Sequence, residues 1–444
     1  DAALAKGRGR YVCLLKLDHQ LSDHGADLLI PLYPDKSLDA EKQLAGPILE
    51  EMIQALGEGS WDGDLDAWPE HLSSSVRRLI TTDQSQCTGR RCPHIAQCSF
   101  FRAREGLEEA DVIVTNHDLV LSDLRLGGGV ILPAPEDTLY VFDEGHQLPA
   151  KCLNQFALRF HAGGTLQGLR DSERWLAAGA EAWVAQGLDE RLIPAMASLV
   201  GDLIQRNEDI AELLWQLLPE ADFERAEHRF PHGRIPADLA EQSAGLIAQW
   251  DQLNREATRL GAALENSQAC GTISADNTVA GTGDPDLNLA NAQGLVARAD
   301  QQFAVWQAFA DAPGKDEPGD GWARWCQHRG TPQSVECQAS PILPGELLHD
   351  ALWQRAAGAV ITSATLSAMG TFERFRERSG VPVSARWKQV ASPFDPQKAT
   401  FCVPAMTSEP GNQEAHTQEL VELLPGLISG EQGVLLLFTS RRQM

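Results

Sequence analysis

Four short apolar runs punctuate the chain: Val112-Ile113-Val114, Leu139-Tyr140-Val141-Phe142, Ala359-Val360-Ile361 and Val434 to Phe438. Short continuous runs of this kind predict strands covered on both faces, as in a parallel sheet. Each gives way at once to polar residues: Thr115-Asn116-His117, Asp143-Glu144-Gly145-His146, Thr362-Ser363-Ala364-Thr365 and Thr439-Ser440. Open α/β sheets bind ligands just beyond the carboxyl ends of their strands, so these groups stand where chemistry occurs. For any single run, an ordinary strand-to-loop transition explains the pattern as well.

From Lys151 to about Gly330 the period becomes helical. Leu239, Leu246, Ile247, Trp250, Leu253, Ala257, Leu260 and Leu264 recur on one helix face, and Leu192, Met196, Leu199, Leu203, Ile210, Leu214 and Leu217 do the same. Such stripes predict packing. The Gly-, Thr-, Asn- and Asp-rich stretch from Gly271 to Asn288 predicts a loop. A helical insertion of about 180 residues is thus expected between two strands of one sheet.

Composition narrows this picture. The 444 residues fit two to four domains at roughly 100–200 residues each, and 43% apolar content allows large cores. No charged-then-apolar leader and no membrane-length apolar run is seen, so neither secretion nor membrane insertion is expected. Residue 1 is Asp, and the chain stops just after a strand-like run, which reads as a fragment cut at both ends. The net charge of −25 argues against general coating of nucleic acid and leaves contact to local basic patches. Nine cysteines, an odd number without a leader, favour reduced thiols or metal ligands over a disulfide framework.

Cys87, Cys92 and Cys98 crowd one stretch that Gly89 and Pro93 keep out of regular helix, and Cys13 lies far upstream. Four thiolates suit tetrahedral zinc or a four-iron cluster. Zinc sites usually take two close doublets, so a triplet with a distant single favours the cluster; zinc and unrelated thiols stay open. Between Arg77 and Arg104 stand six arginines (Arg77, Arg78, Arg90, Arg91, Arg102, Arg104) and one acid, Asp83, a local charge of +5. Arginines that grip phosphates beside rings that stack on bases, here Phe100 and Phe101, are the equipment for single strands. A solvated basic face is the plainer reading of the arginines, and core packing that of the rings. Cys152, Cys270, Cys326, Cys337 and Cys402 show no ligand spacing and read as buried thiols. Trp322, Trp325 and Trp353, among eleven tryptophans, read as packing.

Asp143 and Glu144 follow an apolar run. An aspartate there can hold Mg²⁺ while the next carboxylate polarises an attacking water. His146 is a candidate link between this pair and a second site, with a structural histidine as the plain alternative.

These residues together resemble a known family. Val141-Phe142-Asp143-Glu144-Gly145-His146-Gln147-Leu148-Pro149 resembles the Asp-Glu-x-His motif of DinG-type helicases, the XPD-like iron–sulfur branch of helicase superfamily 2. The four cysteines resemble that family's [4Fe–4S] domain, Lys6 to Cys13 its opening, and Val114-Thr115-Asn116-His117 the segment after it. Ile361 to Leu366 resembles motif III, Ser392-Pro393-Phe394 a segment beyond it, and Ala226-Glu227-His228-Arg229-Phe230 part of the insertion. The likeness runs from about Lys6 to Met444.

The resemblance implies an α/β fold: a RecA-like parallel-sheet motor domain with an inserted [4Fe–4S] domain and an inserted α-helical arch, plus the start of a second RecA-like domain. Its implied boundaries are 1–110 for the cluster domain, 111–150 and 336–368 for the first motor domain, 151–335 for the arch and 369–444 for the second motor domain. It implies a DNA-stimulated ATPase that unwinds 5′→3′ in repair or replication, in the cytoplasm, as a monomer, on single-stranded or forked DNA. Single-strand DNA-binding protein is a candidate partner. By carry-over Cys13, Cys87, Cys92 and Cys98 ligate iron, Asp143 holds Mg²⁺, Glu144 activates water for ATP hydrolysis, and Ser363 and Thr365 couple ATP to DNA.

One part of the pattern is missing. A motor needs a Gly-x-x-x-x-Gly-Lys-Ser/Thr phosphate cradle, and none occurs; Gly314-Lys315-Asp316 lacks the hydroxyl residue. Gln86-Cys87-Thr88-Gly89-Arg90 imitates a motor arginine motif but lies inside the cysteine cluster, and reads as a decoy. This chain alone is therefore expected to be inactive as an ATPase. An iron–sulfur DNA-binding module without a motor is the alternative function. An RNA helicase is a third, against which the four-cysteine insertion speaks.

Overall fold

The computed structural model describes residues 1–21, 38–82, 87, 89, 92–185, 187–218, 226–269, 285–314, 317–328, 331, 334–395, 401–428 and 433–437. Arg90, Arg91, Cys270 and most of the loop expected from Gly271 to Asn288 lie outside these residues, as do Lys315 and Phe438. The side chain of Arg78 is likewise outside the description.

The chain divides into two compact units, Asp1–Ala385 and Arg386–Met444. In the first, β1 (Ala2–Leu4) is followed by α1 (Leu14–Leu21), α2 (Leu38–Glu58), α3 (Ser74–Ile80) and α4 (Ser99–Glu108). Next come β2 (Val112–Val114), α5 (His117–Arg125), β3 (Leu139–Phe142) and α6 (Leu148–Phe156). The middle of the chain runs β4 (Leu158–His161), α7 (Ala162–Ala185), α8 (Leu192–Gln216), β5 (Ala226–Arg229), α9 (Ala237–Ala269), α10 (Pro285–Ala310), β6 (Trp322–His328) and β7 (Glu336–Pro341). The unit closes with α11 (Gly345–Leu348), β8 (Gly358–Ile361) and α12 (Glu373–Ser379). The second unit holds α13 (Gln413–Leu427). There the Glu419 carboxylate accepts from the amides of Thr407 and Ser408, and these bonds, with Ser408 first, hold its pKa down at about 2.

Three of the four apolar runs are strands, and they are parallel. β2 pairs with β1, and β3 pairs with β8 in the register Leu139↔Gly358 to Phe142↔Ile361. Among the described residues the two pairs are not joined into one ladder. The expectation of full burial is corrected. Tyr140 and Phe142 are buried over a core with Val120, Leu121, Leu148 and Leu352, while Leu139 and Val141 are 75% and 73% exposed. Helices α5 and α6 cover one face only, so the alternation along β3 shows which side is covered. The fourth run departs further: Val434–Leu437 is extended coil without a strand partner among the described residues, and it is exposed. A strand forms only where a neighbour takes up its backbone groups.

Strands β3 and β8 pair although α6 to α11 lie between them in the chain, and that stretch is not all helical. Both apolar stripes form helices, α8 and α9, whose stripe residues enter one large core. Pro285 to Asn288, expected as loop, begin α10. Three strands, β4, β5 and β6, escaped the helical reading, and with β7 just beyond it they form an antiparallel sheet of order β4-β7-β6-β5. In β6 the polar side chains face inward: Arg324, Cys326 and His328 are buried, while Trp322 and Trp325 are half-buried. Arg324 is held by Asp320 at 2.6 Å and by the carbonyls of Ala308 and Gly233. Polar-in alternation conceals a strand from any reading that places apolar residues inside.

Candidate active site and thiol pocket

The parallel pairing of β3 and β8 brings two strand ends side by side. Beyond them the amide of Thr362 donates to Phe142 O, and the amide of Gly145 donates to Thr362 O at 2.9 Å. Asp143 and Glu144 therefore meet Thr362, Ser363 and Thr365. The Thr362 hydroxyl donates to Asp143 Oδ1 at 3.0 Å, and the Ser363 hydroxyl donates to Glu144 Oε2 at 3.1 Å. His146 Nδ1 lies 2.8 Å from Ser363 Oγ and 3.1 Å from Glu144 Oε2, so one imidazole proton can serve either oxygen. Thr365 completes the set with its amide donating to Ser363 Oγ at 3.3 Å. Every site residue expected here on sequence grounds (Asp143, Glu144, His146, Ser363, Thr365) joins one network. Thr362 was missed; its place in the first polar position after β8 was the available signal.

Backbone geometry supports the same point. Glu144 adopts the left-handed conformation, φ 47° and ψ 39°, which a non-glycine residue holds only when its surroundings enforce it. Among the described residues His232 and Met369 share this region, and Glu144 is the one of the three that sits in the strand-end network. Gly145 is required for a different reason: a Cβ there would stand 2.2 Å from Ile361 Cγ2, a branch fixed close to the backbone. Only glycine lets the turn close against β8.

The other strand end on the sequence reading is structural. Thr115 Oγ1 donates to Ala5 O at 3.0 Å, and Asn116 caps α5 by accepting from the Leu119 amide. His117 packs edge-on to Phe142.

The four thiols expected to act together line one cavity. Cys13, Cys87, Cys92 and Cys98 share its wall with Arg8, Tyr11, Val12, Leu14, Thr82, His94, Phe100 and Phe101. Cys13 is anchored by its amide to Ile80 O at 2.7 Å, and turns bonded from Cys92 O to Ile95 N and from Ile95 O to Cys98 N carry the chain between the other two. Burial pushes the Cys92 thiol up to about 11, and proximity to the other three thiols adds to it. Burial likewise raises Cys13, with Cys87 and Cys98 adding. Among the described residues, no three His, Cys, Asp or Glu side chains stand close enough as placed to grip one metal ion.

The arginines near this pocket are partly committed. Arg104 donates to the carbonyls of Val130 and Ile131 at 2.7 Å each and stands over the Phe100 ring. Arg77 reaches Leu65 O at 3.4 Å and lies 3.9 Å from Asp66. Arg102 is exposed. Phe100 is buried against Tyr11 and Phe101, with the Arg8 guanidinium 4.4 Å above its ring.

The class is thus a mixed α/β protein with polar chemistry at the carboxyl ends of parallel strands. No family model matches the sequence. Among curated proteins it is similar to "ATP-dependent DNA helicase DinG" of Photobacterium profundum, 33% identical over 450 residues, covering 99% of this chain and 61% of the relative. The proteins of that name from Escherichia coli K12 and Salmonella typhimurium are each 27% identical, again over 99% of this chain and 61% of theirs. The chain is similar to these proteins along nearly its whole length, and it spans about three fifths of theirs. Among the described residues, no helix is long and apolar enough to cross a membrane.

Proposed function

We propose that these residues work in an ATP-dependent DNA helicase that moves 5′→3′ on single-stranded or forked DNA in repair or replication. The observation that carries this reading is the network joining Asp143, Glu144 and His146 to Thr362, Ser363 and Thr365. Asp143 would hold Mg²⁺, with Thr362 fixing the carboxylate's orientation. Glu144 would align the attacking water; its carboxylate already accepts from Ser363, so any shift of Ser363 changes what Glu144 can accept. His146 shares its proton between the two and is placed to report one to the other.

Cys13, Cys87, Cys92 and Cys98 would hold a [4Fe–4S] cluster. The donor set fits: among the described residues four half-buried thiols line one cavity whose wall holds no carboxylate, and thiolates formed there would gain from a cationic centre. Such a centre supplies a cross-link from residue 13 to the loop at 87–98. The exposed Arg102 then stands close by in sequence to meet DNA phosphates, while Arg104 serves the scaffold. Domain boundaries at 110, 150, 335 and 368 are part of this proposal, as are the cytoplasmic, monomeric state and a single-strand DNA-binding protein as partner.

The absent phosphate cradle favours a second reading for the 444 residues by themselves, a DNA-binding module without its own hydrolysis. One experiment addresses both. ATP hydrolysis is measured with and without single-stranded DNA on these 444 residues and on the longest reading frame that contains them. The longer protein is expected to be DNA-stimulated and to lose activity in Glu144→Gln. Robust stimulation in the 444 residues alone would overturn the expectation that they are inactive by themselves; activity in Glu144→Gln would overturn the role of Glu144.

A further inference from the structure

Two cysteines that showed no ligand spacing are neighbours across strands. In the β6–β7 pairing Cys326 stands directly opposite Cys337. Backbone bonds define the kind of pair. Gly321 O accepts from Ile342 N across β6–β7, so the odd-numbered residues of β6 turn their backbone groups to β7. Arg324 O accepts from Phe230 N, so the even-numbered residues, Cys326 included, turn theirs to β5. On β7, Val335 O accepts from Ala162 N, which assigns Val335, Cys337 and Ala339 to β4. Cys326 and Cys337 therefore face each other without backbone bonds between them. That is the narrow kind of antiparallel pair, with Cα atoms about 4.5 Å apart and side chains at their closest. A disulfide asks for Cα atoms about 4.4–6.8 Å apart, so it closes here without moving the strands. Both thiols are fully buried in the core of the insertion.

We propose that Cys326 and Cys337 form an oxidation site that closes to a disulfide with hydrogen peroxide as the oxidant, locking the strand pair through which the chain leaves the insertion for β8. One thiolate attacks a peroxide oxygen; the S–O bond forms, the O–O bond breaks, and the departing hydroxide takes a proton to become water. The second thiol attacks the resulting sulfenic sulfur; the S–S bond forms, the S–O bond breaks, and a second water leaves. Two thiols lose two electrons and one peroxide gains them. Burial keeps these thiols protonated, so the pair reacts slowly, by local opening, and admits a small uncharged oxidant in preference to a protein one.

The test treats the purified 444 residues with hydrogen peroxide, quenches, unfolds, alkylates and maps the peptides by mass. A Cys326–Cys337 link is expected, while Cys152, buried without a cysteine opposite, stays free to alkylate. Recovery of both Cys326 and Cys337 as separate alkylated or over-oxidised peptides, under oxidation that modifies exposed Cys402, would overturn the site. Amide exchange in β6 and β7 then reads the lock: oxidised protein is expected to exchange roughly tenfold or more slowly there than reduced protein. Unchanged exchange in protein shown to carry the link would overturn the locking role. Cys337→Ala should abolish both effects; should that variant not fold, the mapping and exchange on the unaltered chain decide alone.

Discussion

Asp143, Glu144 and Ser363 stand at the ends of two hydrogen-bonded strands, whereas Cys13, Cys87, Cys92 and Cys98 stand outside any strand, with turns about Cys92 and Cys98 and long-range amide bonds at Val12 and Cys13. The strand-end groups complete one another's hydrogen bonds. The thiols surround a cavity, where burial first and one another's nearness second make it hard for Cys92 to ionise. Side chains borne on a sheet are placed by the fold itself. Side chains borne on turns are placed by what they hold.

The largest test of this contrast is loss of the proposed cluster. Chelation, or serine at Cys13, Cys87, Cys92 or Cys98, is expected to remove iron and to destabilise the core of α1–α3 by up to on the order of 10 kcal/mol, the scale of structural metal centres. Amide exchange should rise around Met52, Trp61 and Leu72 while β3 and β8 stay protected. Equal loss in both places would break the contrast.

A smaller effect comes from inside the strand-end site. Gly145→Ala forces a methyl group against Ile361 and should cost about 1–3 kcal/mol in denaturant unfolding. Ile361→Leu, which moves the branch away from the backbone, should recover part of it; no recovery would show that the clash is not the cause. Next, Glu144→Gly should be more stable than Glu144→Ala by about 1 kcal/mol. Both lack the carboxylate, and only alanine resists the left-handed turn. Equal stabilities would remove the claim of strain.

The smallest effect concerns pH. Burial raises the Asp66 carboxyl, but Lys6 and Arg10 outweigh it and hold the folded pKa below the ordinary value. Its contribution is therefore complete above the ordinary carboxylate range and is lost as pH falls through the depressed value. Asp66→Asn should flatten the acid limb of stability by a few tenths of a kcal/mol, since the group is partly exposed. An unchanged acid limb would show the ion pairs contribute nothing.

The strand-end site was legible because the apolar runs of β3 and β8 stop at polar residues, and a stop of that kind survives in the bare sequence. Gly145 was legible as a letter but not as a contact, since Ile361 lies far along the chain. β1 is three small residues with no pattern to detect. The β4–β7 sheet was hidden because Arg324, Gln338 and Ser340 are buried, Arg324 with partners from distant loops and Gln338 and Ser340 with partners on their own strand. Arg104 shows the same limit: its charge was plain, but the carbonyls that hold it have no signature in the sequence.

Asp143 and Thr362 touch across 219 residues of intervening chain. A ribosome adding roughly 5–20 residues per second needs on the order of ten seconds or more to travel from one to the other. During that interval β3 has no β8 beside it, and its backbone groups form an unpaired edge. The helices between them have local partners and can fold as they emerge. The Asp143–Thr362 contact is therefore among the last parts of the first unit to assemble.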